Sequence, residues 1–114
     1  ARAYATAIGA AGAPALLDDA TIARMSQQQA IGLDRVLNKT MCFGIVYMKP
    51  HPEVEFGSHR TFGHDGAGGA LAFADPLYGI GFGYIPLPMQ YPGAADPKAV
   101  HLSQLVRSCI RQRS

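Results

Sequence analysis

Charged residues are scarce in this 114-residue chain, and tryptophan is absent. Only 16% of the residues are Asp, Glu, Lys or Arg, and the formal net charge is +2. The one group of like charges is Arg107, Arg111 and Arg113, close to the chain end. Arginines near the C-terminus of a helix are stabilised by the negative end of the helix dipole. Three of them give too little positive charge to indicate a nucleic-acid-binding surface. We therefore expect no nucleic-acid partner.

Long apolar runs are also missing. No uninterrupted run reaches the roughly 18 residues that a membrane-spanning helix needs, so we expect no membrane span. The first residues lack the apolar core of a signal peptide, which leaves the compartment open. Ala1 stands where an initiator methionine would, and we expect the chain to begin inside a longer protein.

Cysteine and metal-ligand patterns are sparse as well. Cys42 and Cys109 are too far apart for a CxxC motif and too few for a disulfide framework, so we expect two buried free thiols. The histidines lack the spacing of zinc ligands, and we expect neither a metal site nor a cofactor. The four histidines are His51, His59, His64 and His101.

The residues that are plentiful favour a small globular unit. Hydrophobic residues make up 48% of the chain, with 13 glycines and 8 prolines. A chain of this size buries roughly two thirds of its unfolded surface, which supports one core. Residues 1–12 are rich in alanine and predict a helix, and Asp18 predicts the N-cap of a second helix from Asp19 to about Gln28.

The middle of the chain predicts a sheet. Residues 29–41 lack a period and predict a long connection, whereas 43–48 and 67–74 predict strands with an exposed loop between, from Lys49 to about Arg60. Residues 78–85 alternate aromatic or aliphatic residues with glycines, so one face of that strand carries only glycine. Such a face usually lies against something close, and we expect a helix there.

The end of the chain supplies a candidate for that helix. Asp96-Pro97 predicts a helix start, and an apolar stripe at helical spacing follows. The stripe consists of Ala99, Leu102, Val106, Cys109 and Ile110. We therefore predict an α+β fold in which an antiparallel sheet of about three strands is covered by helices, including a C-terminal helix.

The segment 62–76 holds the strongest candidate for chemistry. His64, a titratable side chain, stands beside a glycine cluster that allows close approach of a backbone or substrate. A tight turn with a satisfied histidine explains the same pattern. A phosphate-binding loop does not, because no Lys-Ser/Thr pair follows the glycines. Ser58-His59 lacks the Gly-x-Ser-x-Gly elbow of a local hydrolase triad.

The triplet His64-Asp65-Gly66 resembles the third conserved element of the β-lactamase and penicillin-binding-protein superfamily. It is most similar to the class C-like branch with the family VIII carboxylesterases, which often has His-x-Gly where other members have Lys-Thr-Gly. The resemblance continues in order through most of the chain, at 33–37, 43–44, 67–76, 79–84 and 96–97. It implies the C-terminal portion of a serine hydrolase domain, with 1–42 as a helical part and connection, 43–86 as antiparallel strands and 96–112 as the terminal helix.

The resemblance also implies roles for five residues. His64 takes the place of the triplet lysine, and the backbone N–H of Ala67 becomes one of two oxyanion donors. Gly66 lets the acyl group lie along the strand edge, with Asp65 and Gly68 as further substrate-binding positions. Asp65 departs from the usual threonine, which leaves the substrate open.

The acylating element of the family, Ser-x-x-Lys, does not occur among these residues, and neither does Tyr-x-Asn or Tyr-x-Ser. We therefore expect the nucleophile in a missing N-terminal part, with a small ester or amide as substrate. A relative that has lost the chemistry and serves in binding or assembly is the alternative. Homo-oligomerisation stays open, and we expect the isolated 114 residues to self-associate.

Overall fold

The computed structural model describes residues 1–90 and 93–113 and has the predicted α+β fold. Two antiparallel sheets form, a β1–β2 hairpin and a three-stranded sheet of order β3-β4-β5. The described elements are, in chain order, α1 (Arg2–Ala7), α2 (Asp19–Met25), β1 (Ala30–Asp34), β2 (Lys39–Phe43), β3 (Phe62–Asp65), β4 (Leu71–Asp75), β5 (Ile80–Tyr84) and α3 (Pro97–Arg113).

Both early helices are shorter than expected. The first ends at Ala7, shortly before Gly9 adopts a left-handed φ of 77°. The second begins as predicted, because the Asp18 carboxylate accepts a hydrogen bond of 2.7 Å from the Thr21 amide. It ends at Met25 rather than near residue 28.

The connection predicted at 29–41 is wrong, because this segment contains the β1–β2 hairpin. The Asp34 carboxylate accepts hydrogen bonds of 2.8 Å from both the Val36 and Leu37 amides, and Asn38 takes a left-handed φ of 54°. Most of β1 is exposed, and its alternation is limited to Ile31 and Leu33, which is too short a pattern to identify a strand.

The strand predicted at 43–48 is also wrong in most of its length. Strand β2 ends at Phe43, and the chain then bends, with Val46 at a left-handed φ of 70°. Met48 rejoins the sheet through two backbone hydrogen bonds with Gly63, of 2.8 and 3.1 Å. The β-branched residues of this run favour a strand locally, but the tertiary structure imposes a bend here instead.

The loop that follows is not the exposed one we expected. Five of the twelve residues from Lys49 to Arg60 are buried, because side chains such as those of Phe56 and Lys49 turn inward. Phe56 packs on Phe73 of β4 with ring centroids 5.4 Å apart. The buried residues of the loop are Lys49, His51, Phe56, Gly57 and Ser58.

A helix does pack on the glycine face of the last strand, but it is α1 and not the terminal helix. A Cβ added at Gly81 would lie 2.6 Å from the Ala1 carbonyl oxygen, and one at Gly83 would lie 2.7 Å from the Ala1 nitrogen. Gly79 instead belongs to the β4–β5 turn, with φ at 65°. The residues in contact here, Ala1 and Ala5, are small enough to allow this close approach. The terminal helix has larger apolar side chains and does not lie on this face.

The terminal helix packs on the opposite face of the same sheet. It starts as predicted, because Asp96 accepts the Lys98 amide at 2.9 Å through its carboxylate and the Ala99 amide at 2.8 Å through its carbonyl. Ala99 joins the core formed around Phe73 of β4, where Phe82 stacks at 4.9 Å between ring centroids.

The predicted orientation of this helix is wrong. Of the apolar stripe only Ala99 is buried, while Leu102, Val106 and Cys109 are exposed. Cys42, by contrast, is the buried free thiol we expected. Small residues face the sheet because the aromatic rings on this face of the sheet leave little room, and the larger residues turn outward.

Candidate functional site

The candidate triplet lies on β3, an outer strand of the three-stranded sheet. Antiparallel pairing aligns His64 with Ala72 of β4 and, through Ala72, with Gly83 of β5. Both neighbouring residues are small and leave the histidine side chain largely uncovered. It is 52% exposed. It borders a groove of about 530 Å³ that Asp65, Gly66, Tyr84 and Ile85 also line.

One ring nitrogen of His64 already has a partner. Nδ1 lies 2.5 Å from the Asp65 carbonyl oxygen. A carbonyl only accepts, so Nδ1 carries the proton in this contact and Nε2 is the nitrogen left to accept a hydrogen bond from a ligand. The Phe43 ring packs beside the imidazole, with centroids 6.3 Å apart. Together these contacts fix the ring at the groove edge.

Asp65 points to the other face of the strand. Its side chain is 8% exposed, and its Oδ2 accepts a hydrogen bond of 3.1 Å from the buried Ala95 amide. Its Oδ1 lies 3.8 Å from the Nδ1 of His64. The carboxylate therefore ties the strand to the segment that leads into α3.

Gly66 and Ala67 begin the turn between β3 and β4. The Gly66 amide donates to the Ala70 carbonyl at 2.9 Å, and the Gly69 amide donates to the Gly66 carbonyl at 3.0 Å. Ala67 is exposed, and its amide has no acceptor within residues 1–90 and 93–113. The Ala67 amide, like that of Gly68, is thus a backbone donor of this turn that has no acceptor in the described part of the chain.

Gly68 and Gly69 are covered by the chain that follows β5. A Cβ at Gly68 would lie 2.5 Å from Met89 Cγ, and the Gly68 carbonyl accepts from the Gln90 amide at 3.0 Å. The Gly69 carbonyl accepts from the Asp96 amide at 2.9 Å. These contacts hold the turn in place, and a Cβ at position 68 would have to displace the flexible and exposed Met89 side chain.

A buried polar cluster near the end of β4 escaped the sequence analysis. The Asp75 carboxylate, fully buried, accepts from the Ser58 hydroxyl at 2.6 Å and from the Ser58 amide at 2.8 Å. Lys49 is 2% exposed, and its Nζ donates to the His59 carbonyl at 2.8 Å and to the Thr61 carbonyl at 2.5 Å. Burial lowers the pKa of Lys49 to about 8, against the opposing attraction of Cys42 and Asp75.

This cluster braces the loop before β3 and shares no lining residue with the groove at His64. In the sequence, Asp75-Pro76 signals only a turn, and nothing local indicates that the carboxylate is buried. A larger cavity of about 820 Å³ lies beside α2, lined by Asp19, His59 and Arg60, and is likewise separate from the groove.

Residues 1–90 and 93–113 contain neither a cluster of metal-ligating side chains nor a membrane-spanning helix. No group of three or more His, Cys, Asp or Glu side chains there is placed to hold a metal ion. None of the helices in that part of the chain combines the length and the apolar character needed to cross a bilayer.

Comparison with known proteins gives matches among solved structures. No protein-family model matches the chain, and no curated protein sequence does. The esterase EstA from Arthrobacter nitroguajacolicus Rue61a is 44% identical over 99% of this chain, with a TM-score of 0.87. A family VIII carboxylesterase is 26% identical over 92% of the chain, with a TM-score of 0.75.

A penicillin-binding protein homologue from Caulobacter crescentus is also similar, with 30% identity over 91% of this chain and a TM-score of 0.71. The matched region amounts to 32% of EstA and 29% of each of the other two proteins. The chain therefore spans about a third of the length of these solved relatives, as a fragment of such a protein would. The resemblance seen in the His64-Asp65-Gly66 triplet is confirmed, and the chain belongs to the β-lactamase-related serine hydrolases.

Proposed function

We propose that these residues form one wall of the active site of a serine hydrolase that acts through an acyl-enzyme on a small ester or amide. The observation that carries this proposal is the pairing of an exposed His64 on an outer strand with the unpaired Ala67 amide in the adjoining turn. A titratable side chain at the groove and a backbone donor in the adjoining turn are the parts that this wall would need.

In the proposed reaction the serine of a Ser-x-x-Lys element, carried outside these 114 residues, attacks the substrate carbonyl. The carbonyl oxygen becomes negatively charged in this step. It accepts hydrogen bonds from the Ala67 N–H and from the backbone N–H of the nucleophile. A preorganised donor of this kind is worth about 2.7–4 kcal/mol of transition-state stabilisation. The alcohol or amine leaves with a proton, and water then hydrolyses the acyl-serine to the acid.

His64 would take part through Nε2, the ring nitrogen without a partner in the described part of the chain. In its neutral form that nitrogen accepts a hydrogen bond, either from the nucleophile network or from the substrate. Gly66 would let the acyl group lie along the edge of β3, with Asp65 and Gly68 shaping the site through the segments that they hold.

The corresponding domain proposal is that residues 1–114 are the C-terminal fragment of a single β-lactamase-like domain. Residues 43–86 would contribute the site wall, 1–42 the two early helices and most of the β1–β2 hairpin, and 96–112 the terminal helix. The two-thirds of the relatives' length that lie outside the match support this proposal.

The second candidate is a relative that has kept the fold without the chemistry and serves in binding or assembly. Both candidates are compatible with the absence of a Ser-x-x-Lys element from these 114 residues, and only its loss from the complete polypeptide would favour the inactive relative. The sequence upstream of Ala1 separates the two candidates, because an intact element there supports the hydrolase.

The direct test uses the complete polypeptide with a chromogenic short-chain ester, a chromogenic β-lactam and a fluorophosphonate label. We expect turnover of at least one substrate, covalent labelling of a serine, and a loss of about 10²-fold or more in kcat/KM for His64→Ala. His101→Ala, on the exposed side of α3, serves as the control and should retain wild-type activity. No labelling and no turnover would leave the inactive relative as the better account.

A further inference from the structure

The loop before β3 and the helix α3 together border a cavity of about 300 Å³ that the proposed reaction does not use. The loop contributes His51, Glu55 and Ser58, and α3 contributes Arg107. The Gln104 side chain of α3 donates a hydrogen bond of 3.4 Å to the Glu55 carbonyl, which joins the two segments. We call this space the His51 cavity; it shares no lining residue with the groove at His64.

Two buried nitrogen atoms of residues that line the His51 cavity have no hydrogen-bond partner among residues 1–90 and 93–113. One is Nδ1 of His51, a residue that is 6% exposed, and the other is Nε of Arg107. Folded proteins nearly always pair such groups, because a buried polar atom without a partner costs free energy. The arginine Nε always carries a proton and can only donate, so the missing partner on that side is an acceptor.

The positive charge of Arg107 is also uncompensated within the described ranges. Its guanidinium forms no ion pair there, and this includes the Glu55 carboxylate that borders the same cavity. The Ser58 hydroxyl is not available as a further donor, because its proton is directed to Asp75 at 2.6 Å. The cavity therefore presents an arginine fork and a histidine nitrogen to any ligand, and planar oxyanions are the groups that match an arginine fork.

We propose that the His51 cavity binds the carboxylate or phosphate group of a small molecule. Arg107 supplies charge-assisted hydrogen bonds from α3, and Nδ1–H of His51 supplies one from the loop. The volume is at the low end of the range for small-molecule sites, and the rings of Pro50 and Pro52 add apolar walls for a short aliphatic part. No residue of the groove at His64 takes part, so this binding does not depend on the proposed hydrolysis.

Calorimetric titration of the complete polypeptide tests the proposal with three probes, namely sodium phosphate, sodium acetate and sodium butyrate. Ionic strength is held constant with sodium chloride. We expect at least one probe to bind with a Kd on the order of 1 mM or tighter. Tightest binding of phosphate would identify a phosphorylated ligand, and a preference for butyrate over acetate would identify a short-chain carboxylic acid. No binding of any probe up to roughly 20 mM would overturn the proposal.

Charge variants locate the site. Arg107→Gln should weaken the binding of the probe at least about tenfold, because it removes the charged hydrogen bonds. Arg113→Gln removes the same charge from α3 outside the cavity and should leave Kd within about twofold of the wild type. Glu55→Gln removes a negative charge from the cavity lining and should tighten binding about two- to threefold. Because Glu55 is exposed, this variant keeps the test valid even where Arg107→Gln lowers stability.

The role of His51 is tested by a pair of substitutions. His51→Leu should weaken binding several-fold, whereas His51→Asn, whose amide N–H can lie near the position of Nδ1, should restore most of the affinity. Equal affinities in the wild type, Arg107→Gln and Glu55→Gln would overturn the proposal, because the anion would then bind elsewhere. Ester turnover is measured separately: turnover without anion binding contradicts this site alone, and anion binding without turnover contradicts the proposed hydrolysis alone.

Discussion

At the scale of single residues, Lys49 illustrates how burial sets a proton equilibrium. Its ammonium group lies in the interior, held by two backbone carbonyls, and its pKa falls to about 8 from 10.5. In the unfolded chain the lysine keeps its proton up to about pH 10.5. The folded state therefore binds fewer protons between pH 8 and 10.5, and Lys49 makes stability rise with pH across that window.

We predict that the free energy of unfolding of the wild type, relative to Lys49→Met, increases between pH 8 and 10.5 by up to roughly 1 kcal/mol per pH unit. Urea unfolding at several pH values measures this difference. Burial also raises the pKa values of Cys42 and Tyr4. Tyr4 is common to both proteins, but Cys42 interacts with Lys49, so the comparison is made with Cys42→Ala in both proteins. Lys98→Met, at an exposed position, should give a flat difference; a flat difference for Lys49→Met as well would contradict the prediction.

Asp65 offers a second test at this scale, because its contacts are structural. Asp65→Ala leaves the buried Ala95 amide without an acceptor and should destabilise the protein by about 1–3 kcal/mol. Asp65→Asn keeps an oxygen in place and should cost clearly less. Thermal unfolding of the two variants makes the comparison. Equal losses for the two variants would mean that the negative charge, rather than the acceptor, matters to the fold.

At the scale of elements, the docking of α1 on the sheet depends on glycine. A Cβ at Gly81 would meet the backbone of α1 at Ala1 and Ala5, which has no flexible end to move aside. We predict that Gly81→Ala costs about 1–3 kcal/mol of stability by displacing the helix. Gly32→Ala is the matched control: this glycine also lies in a strand, and nothing surrounds its added Cβ within 4 Å.

Chemical denaturation should therefore show a loss for Gly81→Ala, while Gly32→Ala stays within about 0.5 kcal/mol of the wild type. Similar effects of the two substitutions would show that intrinsic strand propensity, and not contact with α1, decides the outcome.

Elements whose signals are local could be predicted from the sequence. The helix starts at Asp18 and Asp96 follow from side-chain capping, which involves residues only two or three positions away. The strand with alternating glycines follows from its period, and so does the need for a close neighbour on that face. The position of the triplet beside a glycine turn likewise follows from residues adjacent in the chain.

Features that depend on distant residues could not be predicted. The identity of the helix on the glycine face, and the burial of Lys49 beside Asp75, are set by packing between segments far apart in sequence. Strand β1 was not predicted because its alternation is limited to Ile31 and Leu33. The stripe on α3 predicts that a face is buried but not against what, and of the stripe the sheet covers only Ala99.

At the scale of the whole molecule, apolar surface is spread over several elements at once. Exposed large side chains occur at the β1–β2 hairpin, after β5 and along α3, among them Leu33, Val36, Ile85, Leu87 and Leu105. Strand β3 also presents one edge beyond its short contact with Met48. Surfaces of this kind on a small unit usually mark contacts with other protein segments.

We therefore predict that the isolated 114-residue chain self-associates. Sedimentation velocity should show a weight-average mass that rises with concentration, because several separate apolar surfaces are open at once. Val106→Lys should reduce association without abolishing it, whereas combining it with Leu33→Lys and Leu87→Lys should bring the mass close to that of a monomer. A sharp thermal transition from a wild-type chain that stays monomeric at every concentration would contradict the prediction. It would mean that these side chains tolerate water without a partner, and that the 114 residues are stable by themselves.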